Sequence, residues 1–224
     1  MAKKPANDRK RRIDEIKRRQ ARKERRRTVI ALVVALLLGG ALVGGAVWSG
    51  RESKVDARPI NEVGVRLADA GCGEVENLTP RPPAGGHVER GQTVDYTDYP
   101  PAGGDHVGSA TLGSAPRNFY DRDAAAAIPE HAVHSLEHGG VAVWYDNKLP
   151  DAEVELLRVA AASLTNKRIF FLPWKRADFT GDKHVAMTSW GHRQRCSKVS
   201  GEAIAKFHED FLDHQDAPER GQPF

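Results

Sequence analysis

An α+β fold is the architecture this sequence predicts: a small mixed β-sheet with helices on one face, preceded by one N-terminal transmembrane helix. Three observations carry the prediction. Residues 29–48 form a 20-residue run without a charge, and no other apolar run in the chain is long enough to cross a bilayer. After about Ile128, apolar stretches of strand length alternate with amphipathic stretches of helix length. Of the 224 residues, 40% are apolar and 29% charged, which suffices to bury the core of one ordinary domain.

The net charge of +4 conceals an asymmetry. Residues 1–27 hold 14 Lys and Arg against four acids, a net of +10, and the remainder is acidic with a net of −6. Arg25, Arg26 and Arg27 abut the apolar run and Trp48 closes it. A helix of this length spans about 30 Å, the thickness of the hydrocarbon layer. The excess of basic residues before it places the N-terminus in the cytoplasm and everything after it outside. The charged region is long for a signal peptide, and the run exceeds the usual signal core of about 7–15 residues, so the helix is expected to remain as an anchor at the cell membrane. Ile13, Ile16 and Gln20 form a weak stripe among the tail's bases, which suits anionic lipid headgroups. No aromatic residue is interleaved for base stacking, so nucleic acid is not an expected partner. Gly40 and Gly44 form a small-xxx-small pattern through which two copies can associate.

The expected organisation is therefore a basic cytoplasmic tail over 1–27, a transmembrane helix over 28–48, a polar stalk over 49–70, an extracytoplasmic α+β domain over 71–215 and a C-terminal tail over 216–224. The domain opens with a stretch rich in Gly and Pro that contains a near-repeat. Pro82-Pro-Ala-Gly-Gly-His87-Val88 is followed by Pro100-Pro-Ala-Gly-Gly-Asp-His106-Val107. Paired prolines stiffen the chain and the glycines after them permit sharp turns, so each copy presents a His on a constrained loop.

The regular elements follow. Residues 129–138 predict a short helix ended by Gly139-Gly140. Residues 141–145 read as a strand and 146–150 as a turn. Residues 151–164 form an amphipathic helix, with Val154, Leu157, Ala161 and Leu164 on one face and acids in the first turn. Residues 168–173 and 184–190 are two further strands. Residues 202–214 are a last amphipathic helix carrying Ile204, Phe207, Phe211 and Leu212.

The densest polar constellation is His131-Ala-Val-His134-Ser-Leu-Glu137-His138. On a helix His134 and His138 share one face, with Glu137 beside them, and two imidazoles at that spacing can chelate a metal. The letters also match His-x-x-Glu-His, the inverted zinc-protease motif with Glu as general base. That motif needs a further acidic ligand and a large substrate cavity, for which an outer part of 176 residues is a poor host. With His87 and His106 supplied by the two loops, the expected site is His87, His106, His134 and His138 around zinc or copper. Glu137 is then a supporting partner or an alternative ligand. Cys72 and Cys196 stand outside the cytoplasm by the topology above, so a disulfide is expected, and it would remove both thiols from ligation and catalysis. The chain has no nucleophile elbow, no Walker loop and no dinucleotide fingerprint.

Four segments resemble the domain of unknown function 3105 family: His87-Val-Glu, Tyr99-Pro-Pro-Ala-Gly-Gly-Asp-His106, Ala132-Val-His134-Ser-Leu-Glu137-His138-Gly-Gly-Val-Ala-Val-Trp-Tyr145, and Ser189-Trp190-Gly191. The resemblance covers about residues 70–215. It implies a bacterial protein, in many cases actinobacterial, with an N-terminal membrane anchor and a shared site at His87, His106, His134, Glu137 and His138. Many relatives carry an Asn-Cys-Gly segment between the motifs. Here that stretch reads Ser114-Ala-Pro-Arg-Asn118-Phe-Tyr120 and has no Cys.

The leading expectation is thus a single-pass membrane protein whose extracytoplasmic domain binds a transition metal through clustered His. Behind it stand a non-catalytic accessory subunit of a larger membrane complex, such as a respiratory or envelope assembly, and a metal-dependent hydrolase.

Overall fold

A computed structural model describes residues 58–78, 86–97, 99–108, 112, 118–125, 127–165, 167–177, 179 and 181–222, with 18 and 23–25 before them. The expected transmembrane helix over 28–48, its Gly40 and Gly44, most of the basic tail and residues 49–57 lie outside the described residues. Among the described residues no helix is long and apolar enough to cross a membrane. The chain divides into two units, Met1–Lys54 and Val55–Phe224, and every strand described lies in the second.

That unit is a mixed α+β structure. Its strands are β1 (Glu76–Asn77), β2 (His87–Val88), β3 (His106–Val107), β4 (Val141–Tyr145), β5 (Ile169–Pro173), β6 (Val185–Ser189) and β7 (His192–Cys196). Its helices are α1 (Pro129–Glu137), α2 (Asp151–Ser163) and α3 (Gly201–Phe211). The main sheet has the order β1-β7-β6-β4-β5. β4 and β5 are parallel, as strands joined through a crossover helix must be, and α2 is that helix. The β4–β6, β6–β7 and β1–β7 pairs are antiparallel.

The sequence predicts helices on one face of the sheet, and the structure corrects this to both faces. Val141, Val143, Tyr145, Ile169 and Phe171 pack with Leu157 and Ala160 of α2 and with Ile204 and Phe207 of α3. The alternate residues Ala142, Trp144, Phe170 and Leu172 pack with Ala132, Val133 and Leu136 of α1. Every residue of β4 and β5 is buried. A strand that is apolar at every position, without alternation, is one covered on both sides. Residues 141–145 and 169–173 carry that pattern in the sequence.

The expected stalk also ends earlier than its assigned boundary. Residues 58–70 contain two 3-10 turns, Ile60–Glu62 and Leu67–Asp69, and bury Val63 and Ala70. Gly64 pairs with Ser200, and the Gly201 amide donates to the Val63 carbonyl at 2.8 Å. A Cβ at Gly201 would stand 1.8 Å from the Ile60 carbonyl oxygen, so α3 starts in direct contact with this segment. Cys72 and Cys196 are joined as a disulfide, which ties the same segment to the end of β7.

Candidate metal centre

The His-Val dipeptides that end the two copies of the Pro/Gly repeat pair with each other. β2 and β3 form a two-stranded parallel sheet in which His87 is opposite His106 and Val88 opposite Val107. Parallel partners in register project to the same side, and the two imidazole centroids lie 5.1 Å apart. The pair is held by the His106 amide, which donates to the Gly86 carbonyl at 3.1 Å, and by the Gly86 amide, which donates to Asp105 Oδ1 at 3.0 Å. Tyr96 donates its hydroxyl to the Asp105 carbonyl at 2.8 Å. Burial first, and then the charge of Glu130, pushes the Tyr96 pKa well above the usual phenol range, so it stays a donor.

The loop into β3 rests on the β6–β7 hairpin. Arg193 donates to the Pro100 carbonyl at 3.1 Å, Arg195 to the Tyr99 carbonyl at 2.9 Å, and the Gly191 amide to the Ala102 carbonyl at 2.6 Å. Glu76 of β1 holds both guanidinium groups, with Oε2 2.6 Å from Arg193 and Oε1 2.5 Å from Arg195. Sequence reasoning passes over β7 because His-Arg-Gln-Arg-Cys has no apolar alternation. Its arginines are positioning residues for the loop that delivers His106.

α1 supplies the rest. Pro129 begins it, and Glu130 in its first turn is buried, accepts from the Val94 amide at 2.7 Å and pairs with Arg176 at 2.7 and 2.9 Å. Gly139, at φ +88°, ends it, with its amide donating to the Leu136 carbonyl. The apolar side faces the sheet. The opposite side carries His134, Glu137 and His138, all buried, in agreement with the helical spacing.

His106 Nε2 lies 2.9 Å and His87 Nε2 3.9 Å from Glu137 Oε2. The His106 and His134 rings stack at 5.0 Å, and the His87 ring stands 5.8 Å from His134. His106 Nδ1 lies 2.9 Å from the Gly104 carbonyl, an acceptor only, so Nδ1 carries a proton. In the neutral ring Nε2 therefore presents its lone pair. That atom is fully buried and makes no hydrogen bond among the described residues, although the carboxylate oxygen is close. A buried nitrogen lone pair turned toward a carboxylate oxygen is unfavourable unless a proton or a metal cation stands between them, and both give the pair a positive partner. A backbone carbonyl fixing the far nitrogen of a ring is the usual support of a His ligand.

His87, His106, His134 and Glu137 each bring a donor atom within 4.8 Å of the others and can hold a metal ion. His138 falls in a neighbouring group with His134 and Glu219. Its Nε2 is 3.0 Å from His134 Nε2 and 3.3 Å from Glu219 Oε2. The structure thus gathers all five residues singled out in the sequence but divides them between two groups that share His134. Glu137 lies among the donors of the first group. Glu219 is missed by the sequence reading because it lies in a polar segment assigned to the tail. Its amide donates to the Glu137 carbonyl at 3.0 Å, which brings the end of the chain onto α1. His208 stands apart and contacts the Lys167 carbonyl at 2.7 Å. A cleft lined by Arg90, Thr93, Val107, Pro129, His131 and Arg176 opens beside β3 and the start of α1.

The model of a family described as "Protein of unknown function (DUF3105)" matches residues 87–223. The match begins at the first candidate ligand and includes every member of both groups. No curated protein and no solved structure matches the chain.

Proposed function

The chain belongs to the DUF3105 family of proteins of unknown function, and we propose that it is a single-pass membrane protein whose extracytoplasmic domain binds a transition metal, zinc or copper, through the buried His cluster. The observation that carries this reading is His106. Its Nδ1 is committed to the Gly104 carbonyl and its buried Nε2 faces Glu137 Oε2 at 2.9 Å, with His87 and His134 around the same point. Three imidazoles and one carboxylate make a donor set that suits zinc, and imidazole serves copper as well. Thiolate is excluded because both Cys are in the disulfide. Glu137 acts as a ligand rather than as a general base. The side chain of His87 is 57% exposed and forms the open side of the centre, through which an ion enters.

Metal analysis of the full chain, purified without chelator, tests this. The wild type is expected to carry metal. His106→Ala and His134→Ala should each remove it from this centre, and His208→Ala should not. A wild-type chain that carries no metal and gains no thermal stability from added zinc or copper overturns the proposal.

The apolar run 29–48 and the net +10 before it support the placement of the domain outside the cytoplasm, with the basic tail on anionic headgroups. A reporter fused after Phe224 should be active outside the cytoplasm, and a mature chain beginning near Trp48 would remove the anchor.

A further inference from the structure

A third group of donors stands away from α1, where the start of β7 meets the segment after α3. His192, His214 and Asp216 each bring one donor atom within 4.8 Å of the others. His192 is buried and sits opposite Asn77 in the β1–β7 register. Its Nδ1 is 2.8 Å from Asn77 Oδ1 and its Nε2 is 2.9 Å from Asp216 Oδ2. Both ring nitrogens of His192 are thus hydrogen-bonded, and a divalent cation that displaces the Nε2 proton would take the same place between the imidazole and the Asp216 carboxylate. His214 Nδ1 is 3.4 Å from the same Asp216 Oδ2 and accepts a long contact from the Asp216 amide at 3.4 Å. That contact turns the Nδ1 lone pair of His214 toward the group, and a bound cation would take the amide's place as its partner. The two rings meet edge to face at 4.7 Å, and Phe211 lies against His192 at 4.5 Å as the apolar floor. His214 and Asp216 are partly exposed, which leaves one side open to water.

We infer that His192, His214 and Asp216 form a second site for a divalent transition cation, with two imidazole nitrogens and one carboxylate oxygen as protein ligands and water completing the shell. Two neutral imidazoles and a carboxylate are a borderline-soft donor set, which favours zinc or copper over calcium or magnesium. The ion ties three separate pieces of chain: β1 through Asn77, β7 through His192, and residues 212–216. Three residues further on, the same segment delivers Glu219 to His138. The site shares no residue with the α1 centre, and its occupancy is independent of the function proposed above.

Zinc bound per chain, counted after dialysis of the full-length protein against zinc alone, tests the site. The wild type should bind one zinc more than His214→Ala, whose partly exposed side chain can be removed without opening the core. His87→Ala combined with His134→Ala, which takes a ligand from both α1 groups, should still bind one zinc, and adding His214→Ala should abolish it. Equal zinc in the wild type and His214→Ala overturns the inference, as does a triple variant that still binds. Failure of the α1 centre alone has a different signature: one zinc in the wild type, one in His134→Ala and none in His214→Ala.

Discussion

On one face of the sheet, α2 and α3 bury Leu157, Ala160, Ile204 and Phe207 against β4 and β5. On the other, α1 buries Ala132, Val133 and Leu136 but turns His134 and Glu137 toward His106, with His138 just beyond its end turned toward Glu219. Both apolar layers are buried. The first stands on apolar area and a disulfide, each buried side chain contributing about 1.5–3 kcal/mol. The second takes ionisable groups out of water, which costs stability unless partners or a cation compensate them. On the function proposed above, the comparison teaches that the apolar core of the first face is stable without an ion, whereas the His cluster of the second depends on one.

The largest expected effect breaks the first face. The disulfide closes a sequence separation of 124 residues, for which the chain-entropy relation gives about 4–5 kcal/mol. Cys196→Ser should lose an amount of that order in denaturant titrations, by the same amount with and without zinc. Phe171→Ala, which empties a fully buried site beneath α2, should follow at about 3–5 kcal/mol and again leave the zinc-dependent increment unchanged.

The second face should behave in the opposite way. In a His214→Ala background, which lacks the second site inferred above, free zinc at about a hundredfold the Kd of the α1 centre should add about 2.7 kcal/mol over the metal-free protein. Adding His106→Ala to that background should remove most of the gain, read as the difference between thermal melts with and without zinc. A gain retained in His106→Ala would place the ion elsewhere and dissolve the contrast between the faces.

Gly108→Ala sharpens the contrast within the site. A Cβ at Gly108 would lie 2.6 Å from Cγ and Nδ1 of the His87 ring. The exposed ring has room to swing away, so the fold should persist and only the metal should suffer. We expect affinity to fall about tenfold, or about 1.4 kcal/mol, by zinc competition with a chelating dye. In a His87→Ala background the same substitution should add nothing.

How much of this was legible in the sequence divides along the same line. α2, α3, β4, β5 and β6 are apolar periodicities, and the sequence places each within a few residues. β7 escapes because Arg193 and Arg195 are satisfied by Glu76 and by loop carbonyls that only the folded chain brings near. The packing of residues 58–70 escapes because one or two apolar residues in a polar stretch, such as Val63, leave no period to read. At the site, the spacing of His134 and His138 is local and readable, and the near-repeat shows a His at the end of each loop, but the pairing of His87 with His106 is not visible in it. The division of the five residues into two groups, and the arrival of Glu219, are tertiary facts with no local signature.

The smallest expected effect belongs to His131, on the rim of the cleft beside the second face. Burial first, and the positive charge of Arg90 second, lower its pKa below the ordinary 6.5, with Glu130 opposing. In the window just below 6.5 the unfolded chain therefore binds more protons at this position than the folded one. Stability from His131 is present above that window and declines as the pH falls through it, until the pH drops below the lowered folded value. His131→Gln cannot titrate and should flatten that part of the profile. Denaturant midpoints of the two proteins, compared between about pH 7.5 and 5.5 in chelator, isolate this group because the other histidines are common to both. A wild type that loses no more stability than His131→Gln over that range would show that the cleft rim is as well hydrated as open surface, and that the ionic penalty of the second face is confined to the cluster on α1.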